Sequence, residues 1–141
     1  MQTARVKWIE QEQFVAVTPS GHAVPMDSDR ERNSAPGPME MLLAALGACT
    51  ATDVVVILGK KRQKLDALEV IVSGERATDP PRVWTTIEIV YKLRGVLNEK
   101  AVRDAIELSE NRYCSVAAML GKTAKITFRF EILAPARASQ P

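Results

Sequence analysis

The chain has 141 residues, 46% hydrophobic and 26% charged, with a formal net charge of +2. That is ordinary globular composition and the length of one domain, enough to build a core of its own. The only dense basic run, Lys60-Lys61-Arg62-Gln63-Lys64, is short and carries no interleaved aromatic residue, which favours cations closing a helix over an anion or nucleic-acid surface.

The first residues, Met1-Gln2-Thr3-Ala4-Arg5-Val6-Lys7-Trp8, contain no apolar h-region and no cleavage site, so the expected location is the cytoplasm. Residues 3–9 and 13–17 alternate as two strands, with Val6 and Trp8 on one face and Arg5 and Lys7 on the other, and residues 22–26 add a short third. A polar stretch from Asp27 to Ser34 then leads through Ala35-Pro36-Gly37-Pro38 into a helix over about residues 38–60.

From Met41 to Leu58 that helix carries one charge, Asp53. The run nearly reaches the length of a membrane span, but Asp53 would cost about 3 kcal/mol in a bilayer, and Gly47, Thr50 and Thr52 dilute its apolar content. The expectation is a buried helix outside any membrane. A helix apolar on every side needs cover on every side, and a chain this short has little to spare, so a second copy is the economical cover. The small residues Ala44, Ala45, Gly47 and Ala48 would let another helix approach closely.

Leu65–Ala77 and Val83–Leu93 read as strands joined by an Asp79-Pro80-Pro81 turn, the second with Ile87, Ile89, Tyr91 and Leu93 on one face. Asn98 caps a helix ending near Leu108 to Glu110. Another short helix starts at Cys114 or Ser115 and stops at Gly121, and Thr123–Leu133 is a final strand with Ile126, Phe128, Phe130 and Ile132 alternating. The order predicts an α+β domain over residues 1–133 with antiparallel sheets, no βαβ rhythm, and a disordered tail over residues 134–141.

Two cysteines, 65 positions apart with no C-x-x-C, are too few for a disulfide scaffold, and with His22 as the lone histidine no metal or cofactor is expected. By local reasoning Cys114, at a helix N-terminus with Arg112 nearby, is the more acidic thiol. Cys49, inside an apolar helix one turn before Asp53, is the less acidic one.

The run Pro38-Met39-Glu40-Met41-Leu42-Leu43-Ala44-Ala45-Leu46-Gly47-Ala48-Cys49, with Tyr113-Cys114-Ser115-Val116 later, resembles the OsmC/Ohr family, and most of all its YhfA-like branch. The resemblance spans about residues 3–133 and places both cysteines in register with the family's pair. It implies an OsmC-like fold with a long central helix, an intertwined homodimer with sites at the subunit interface, and a first cysteine that reduces organic hydroperoxides. Carried over, Cys49 is the peroxidatic thiol and Cys114 resolves its sulfenic acid as a disulfide that a thiol or lipoyl reductant reopens. This ranking reverses the local one.

Two positions depart from the family. Met39 stands where the family has a catalytic glutamate, and no arginine lies between Arg5 and Arg30, where the family's N-terminal strands supply one. Arg30, Arg32 and Glu40 are the nearest substitutes. Nine residues of helix, about 13 Å, separate Glu40 from Cys49, so a thiol served by Glu40 would belong to the other subunit. The alternative is a binding or regulatory protein of the same fold for a small apolar ligand or partner, without peroxidase turnover.

Overall fold

Alternation at the start of the chain produces three strands, β1 (Arg5–Glu10), β2 (Gln13–Val17) and β3 (Ala23–Asp27), in the computed structural model, which describes residues 1–137. They form an antiparallel sheet in the order β1-β2-β3, with Trp8 opposite Phe14 and Phe14 opposite Met26. Pro25, which cannot donate to a ladder, is accommodated because β3 is an edge strand. This sheet belongs to the first of two compact units, Met1–Leu42; the second is Leu43–Pro141.

In the first unit the loop after β3 is organised by one buried carboxylate. Asp27 accepts hydrogen bonds from Arg32 Nε and Nη2, both at 2.9 Å, from the Ser34 hydroxyl at 2.6 Å and from the Asp29 N–H at 2.9 Å. The Arg32 guanidinium first, and the Ser34 hydroxyl second, hold Asp27 well below the usual carboxylate range. The loop delivers Gly37, whose N–H donates to Glu40 Oε1 at 2.6 Å, the reciprocal half of a capping box. Pro38 then opens helix α1 (Pro38–Lys60).

The buried residues of α1 are Leu46, Gly47, Thr50, Val54 and Leu58, in essence a stripe at four-residue spacing, while Leu42, Val55 and Val56 remain exposed. The expected all-round cover is therefore not met within one chain, because the protein offers this helix one sheet and not a second layer. The expectation for the small residues changes too. A Cβ on Gly47 would come within 3.2 Å of Val72 on β4 (Lys64–Arg76), so Gly47 serves close approach to a strand, and Ala44, Ala45 and Ala48 are exposed. By length and composition α1 could cross a membrane. Its buried stripe, with Thr50 in hydrogen-bond contact inside this unit, is how it packs here.

In the second unit β4, β5 (Trp84–Val96) and β6 (Lys125–Leu133) form a sheet in that order. The β4/β5 pair is antiparallel, Val70 opposite Tyr91, with a register shift between Leu65 and Ala67. Opposite that shift Gly95 has φ +149, and a Cβ there would meet the Lys64 carbonyl oxygen at 2.1 Å, so only glycine fits.

The β5/β6 pair is parallel, which corrects the antiparallel expectation and the absence of a βαβ unit. Helices α2 (Glu99–Leu108) and α3 (Ser115–Leu120) occupy the connection, which is long enough to carry the chain back to the starting end of the sheet, as a hairpin turn cannot. Asn98 caps α2 by accepting the Ala101 N–H at 3.0 Å. The helix ends at Leu108, within the expected range, and passes directly into a π-helical turn, Ser109–Tyr113, which was not expected.

The core joins the α1 stripe to Ile87, Ile89, Tyr91 and Leu93 of β5 and Val102, Ala105 and Ile106 of α2. Each fully buried aliphatic side chain there contributes about 1.5–3 kcal/mol. Of the tail, residues 134–137 have no regular structure, although Arg94 Nη1 donates to the Ala134 carbonyl at 2.7 Å; residues 138–141 lie outside the described residues.

Candidate functional site

Cys49 lies in α1 between buried Leu46 and Thr50, one step off the buried stripe, and is half-buried. Cys114 closes the π-turn and caps α3: its N–H donates to the Ser109 carbonyl at 2.8 Å, and its sulfur accepts the Ala117 N–H at 3.3 Å. It is buried, with 3% of its surface exposed. Both thiols are free, and they lie near enough for Cys49 to act on the Cys114 proton.

The local expectation of an acidic thiol is overturned at Cys114. Burial first, then the contact with Cys49, push its thiol up to about 12, and the Ala117 N–H offsets only part of this. One N–H at the start of a six-residue helix recovers less than removal from water costs the thiolate. Arg112 is turned to its neighbour instead, its guanidinium 5.6 Å from the centre of the exposed Tyr113 ring.

Beside the thiols is a polar cluster that sequence reasoning missed. Thr50 Oγ1 lies 2.5 Å from the Tyr91 hydroxyl and 2.9 Å from Ser109 Oγ, and it donates to Glu110 Oε1 at 3.1 Å. Tyr91 donates to the same Glu110 oxygen at 2.5 Å, and Ser109 donates to Asp53 Oδ2 at 2.9 Å. Burial, then the bond to Glu110, raises Tyr91 well above the usual phenol range. Glu110 also adds to the upward push on Cys114. A signal existed: Thr50 and Tyr91 are polar residues on faces that periodicity buries, and such groups need partners. The partners come from a π-turn that no periodicity announces.

The remaining candidates belong to the first unit. All three guanidinium nitrogens of Arg32 are engaged, two on Asp27 and the third on Gln11. Arg30 is exposed and makes no ion pair among the described residues. Glu40 is exposed at the first turn of α1 and bound to the Gly37 N–H. The structure thus brings together Cys49 and Cys114, and places Arg30, Arg32 and Glu40 on the loop and cap of the other unit. Among the described residues no cluster of three or more His, Cys, Asp or Glu could hold a metal ion.

Residues 31–129 match the family model described as OsmC-like protein. The chain is 44% identical to Protein YhfA of Escherichia coli strain K12 over 132 residues, covering 93% of this chain and 98% of that one. Among solved structures it is similar to an OsmC-like protein from Mycoplasma pneumoniae, with TM-score 0.83 and 18% identity over 94% of this chain and 97% of that one. It is also similar to the organic hydroperoxide resistance protein OhrB of Bacillus subtilis, with TM-score 0.66 and 12% identity over 92% of this chain and 98% of that one.

Proposed function

The chain belongs to the OsmC-like family, and from that premise we propose that it reduces organic hydroperoxides with Cys49 as the peroxidatic thiol and Cys114 as the resolving thiol. The observation that carries this reading is the pair itself: two free thiols near enough to influence each other, one reachable and one buried with its proton held. The Cys49 sulfur, as thiolate, attacks the distal peroxide oxygen. The O–O bond breaks, the alkoxide takes a proton and leaves as alcohol, and Cys49 becomes a sulfenic acid. The Cys114 sulfur then displaces hydroxide from the Cys49 sulfur, the thiol proton leaves with it as water, and a disulfide remains. A cytoplasmic thiol or lipoyl group supplies two electrons to reopen it.

The proposed working form is a homodimer. Val6, Trp8 and Ile9 of β1 and Leu42, Val55 and Val56 of α1 are large apolar side chains exposed in one copy. Of the two loop arginines we assign Arg30 to the hydroperoxide, because Arg32 is already engaged on every nitrogen. Glu40 remains a candidate through its place in the family motif, with a capping bond to give up if it acts.

A second reading, a binding protein without turnover, is favoured by one observation: an apolar groove of about 350 Å³ lined by Leu43, Ala44, Gly47 and Ala48 of α1 with Leu68 and Val70 of β4. Stopped-flow oxidation of the reduced protein by cumene hydroperoxide and by hydrogen peroxide separates the two. A peroxidase shows a rapid, saturable phase with the former only; a protein inert to both is the binding module.

A further inference from the structure

The hydroxyl and carboxylate cluster is spent on one segment. Ser109 and Glu110 open the π-turn and Cys114 closes it, with the Cys114 N–H tied back to the Ser109 carbonyl at 2.8 Å. The anchors are Thr50 and Asp53, on the same stretch of α1 as Cys49, together with Tyr91 of β5. Thr50 follows Cys49 directly, and Asp53 stands four residues after it, on its face of the helix. Two turns of backbone that are distant in sequence, one carrying Cys49 and the other leading into Cys114, are therefore pinned together.

We propose that Thr50, Tyr91 and Glu110 are positioning residues for disulfide closure, holding the π-turn against α1 and β5 so that the Cys114 sulfur stays in reach of the Cys49 sulfur. Thr50 is the hub, with three of the five contacts passing through its one hydroxyl. Removing that hydroxyl releases the turn without changing the volume of the helix face. The inference rests on the redox reading of the pair, but its test needs no hydroperoxide. In a dithiothreitol redox buffer the two thiols form one S–S bond while the oxidised reagent is reduced to its dithiol, with both thiol protons transferred to the reagent's sulfurs. The equilibrium constant of that exchange measures how well the fold holds the sulfurs together.

The experiment equilibrates the full chain and the variants Thr50→Val, Thr50→Ser, Glu110→Gln and Tyr91→Phe across such buffers and counts free thiols by maleimide mass shift. Circular dichroism selects the folded variants. We expect Thr50→Val to lower the constant at least tenfold and to slow closure equally. Thr50→Ser, which keeps the hydroxyl, stays within about twofold of the parent. Should Thr50→Val not fold, Tyr91→Phe, which keeps the ring and loses the hydroxyl, carries the same expectation, whereas Glu110→Gln, whose amide oxygen still accepts from Thr50 and Tyr91, stays near the parent. An unchanged constant in Thr50→Val, or an equal loss in Thr50→Ser, overturns the proposal, as does a parent chain that forms no internal disulfide. A chain that closes its disulfide in the buffer yet ignores cumene hydroperoxide would end the peroxidase reading and leave this one standing.

Discussion

In a Cys49→Ser variant the remaining thiol, Cys114, should resist alkylation at neutral pH far more than an ordinary cysteine. Alkylating reagents attack the thiolate. A thiol at the ordinary value of 9.0 is about 1% ionised at pH 7, and one pushed up to about 12 is about a thousandfold less so. The substitution removes the contact with the Cys49 sulfur, the second contribution, but leaves burial, the largest. A suppression of about a hundredfold or more should survive. The assay is the rate of iodoacetamide labelling between pH 7 and 10.5, followed by mass, with the same chain in urea as reference. Simple occlusion would slow the reaction but not move its midpoint, so the slope is diagnostic. The logarithm of the folded rate should climb one unit per pH unit with no plateau below pH 10. A plateau with its midpoint at or below pH 9 would show that the helix N-terminus outweighs burial, and the assignment of Cys114 as the protonated resolving thiol would fall.

The folded chain holds the Cys114 and Tyr91 protons more tightly than the unfolded chain does. Stability should therefore be complete below pH 9, the unfolded thiol's range, and fall as pH rises toward 12, with urea midpoints declining above pH 9 and less steeply in Tyr91→Phe; a flat profile refutes the burial argument. Asp27 behaves oppositely: its stabilisation is present above the ordinary 3.8 and lost as pH falls below it, so the acid limb of a thermal-melt series should flatten in Asp27→Asn. Ile89→Ala, at a fully buried position of β5, should cost about 2–5 kcal/mol in urea unfolding, and a loss under 1 kcal/mol would contradict the core described. Sedimentation at nanomolar concentration should show a dimer, and a compact folded monomer would remove the second copy as the cover of α1.

Much of the fold was legible because periodicity and caps are local. The capped start of α1 at Pro38, the Asn98 cap of α2 and the alternation of β5 were all readable from side-chain spacing. The parallel return of β6 was not, since strand direction depends on how a connection packs and not on the strand's own pattern. At the site, Cys49 and Cys114 could be named from the family motif, whereas the local expectation of an acidic Cys114 failed because desolvation is set by residues far away in sequence. Thr50, Tyr91, Ser109 and Glu110 escaped notice for the same reason: each looked satisfied as a helix or strand residue.

The π-turn makes the chain unusually intolerant of small changes in length. An α-helix advances about 100° per residue, so deleting one residue between Ser109 and Tyr113 would let α2 run on regularly and swing everything after it by roughly that angle. Ser109 and Glu110 could both be kept, and Cys114 would still be swung away from Cys49. Homologous chains that keep both cysteines but gain or lose one residue in this stretch should behave as single-thiol proteins, so the count of residues between Glu110 and Cys114 is as diagnostic of chemistry as the cysteines themselves.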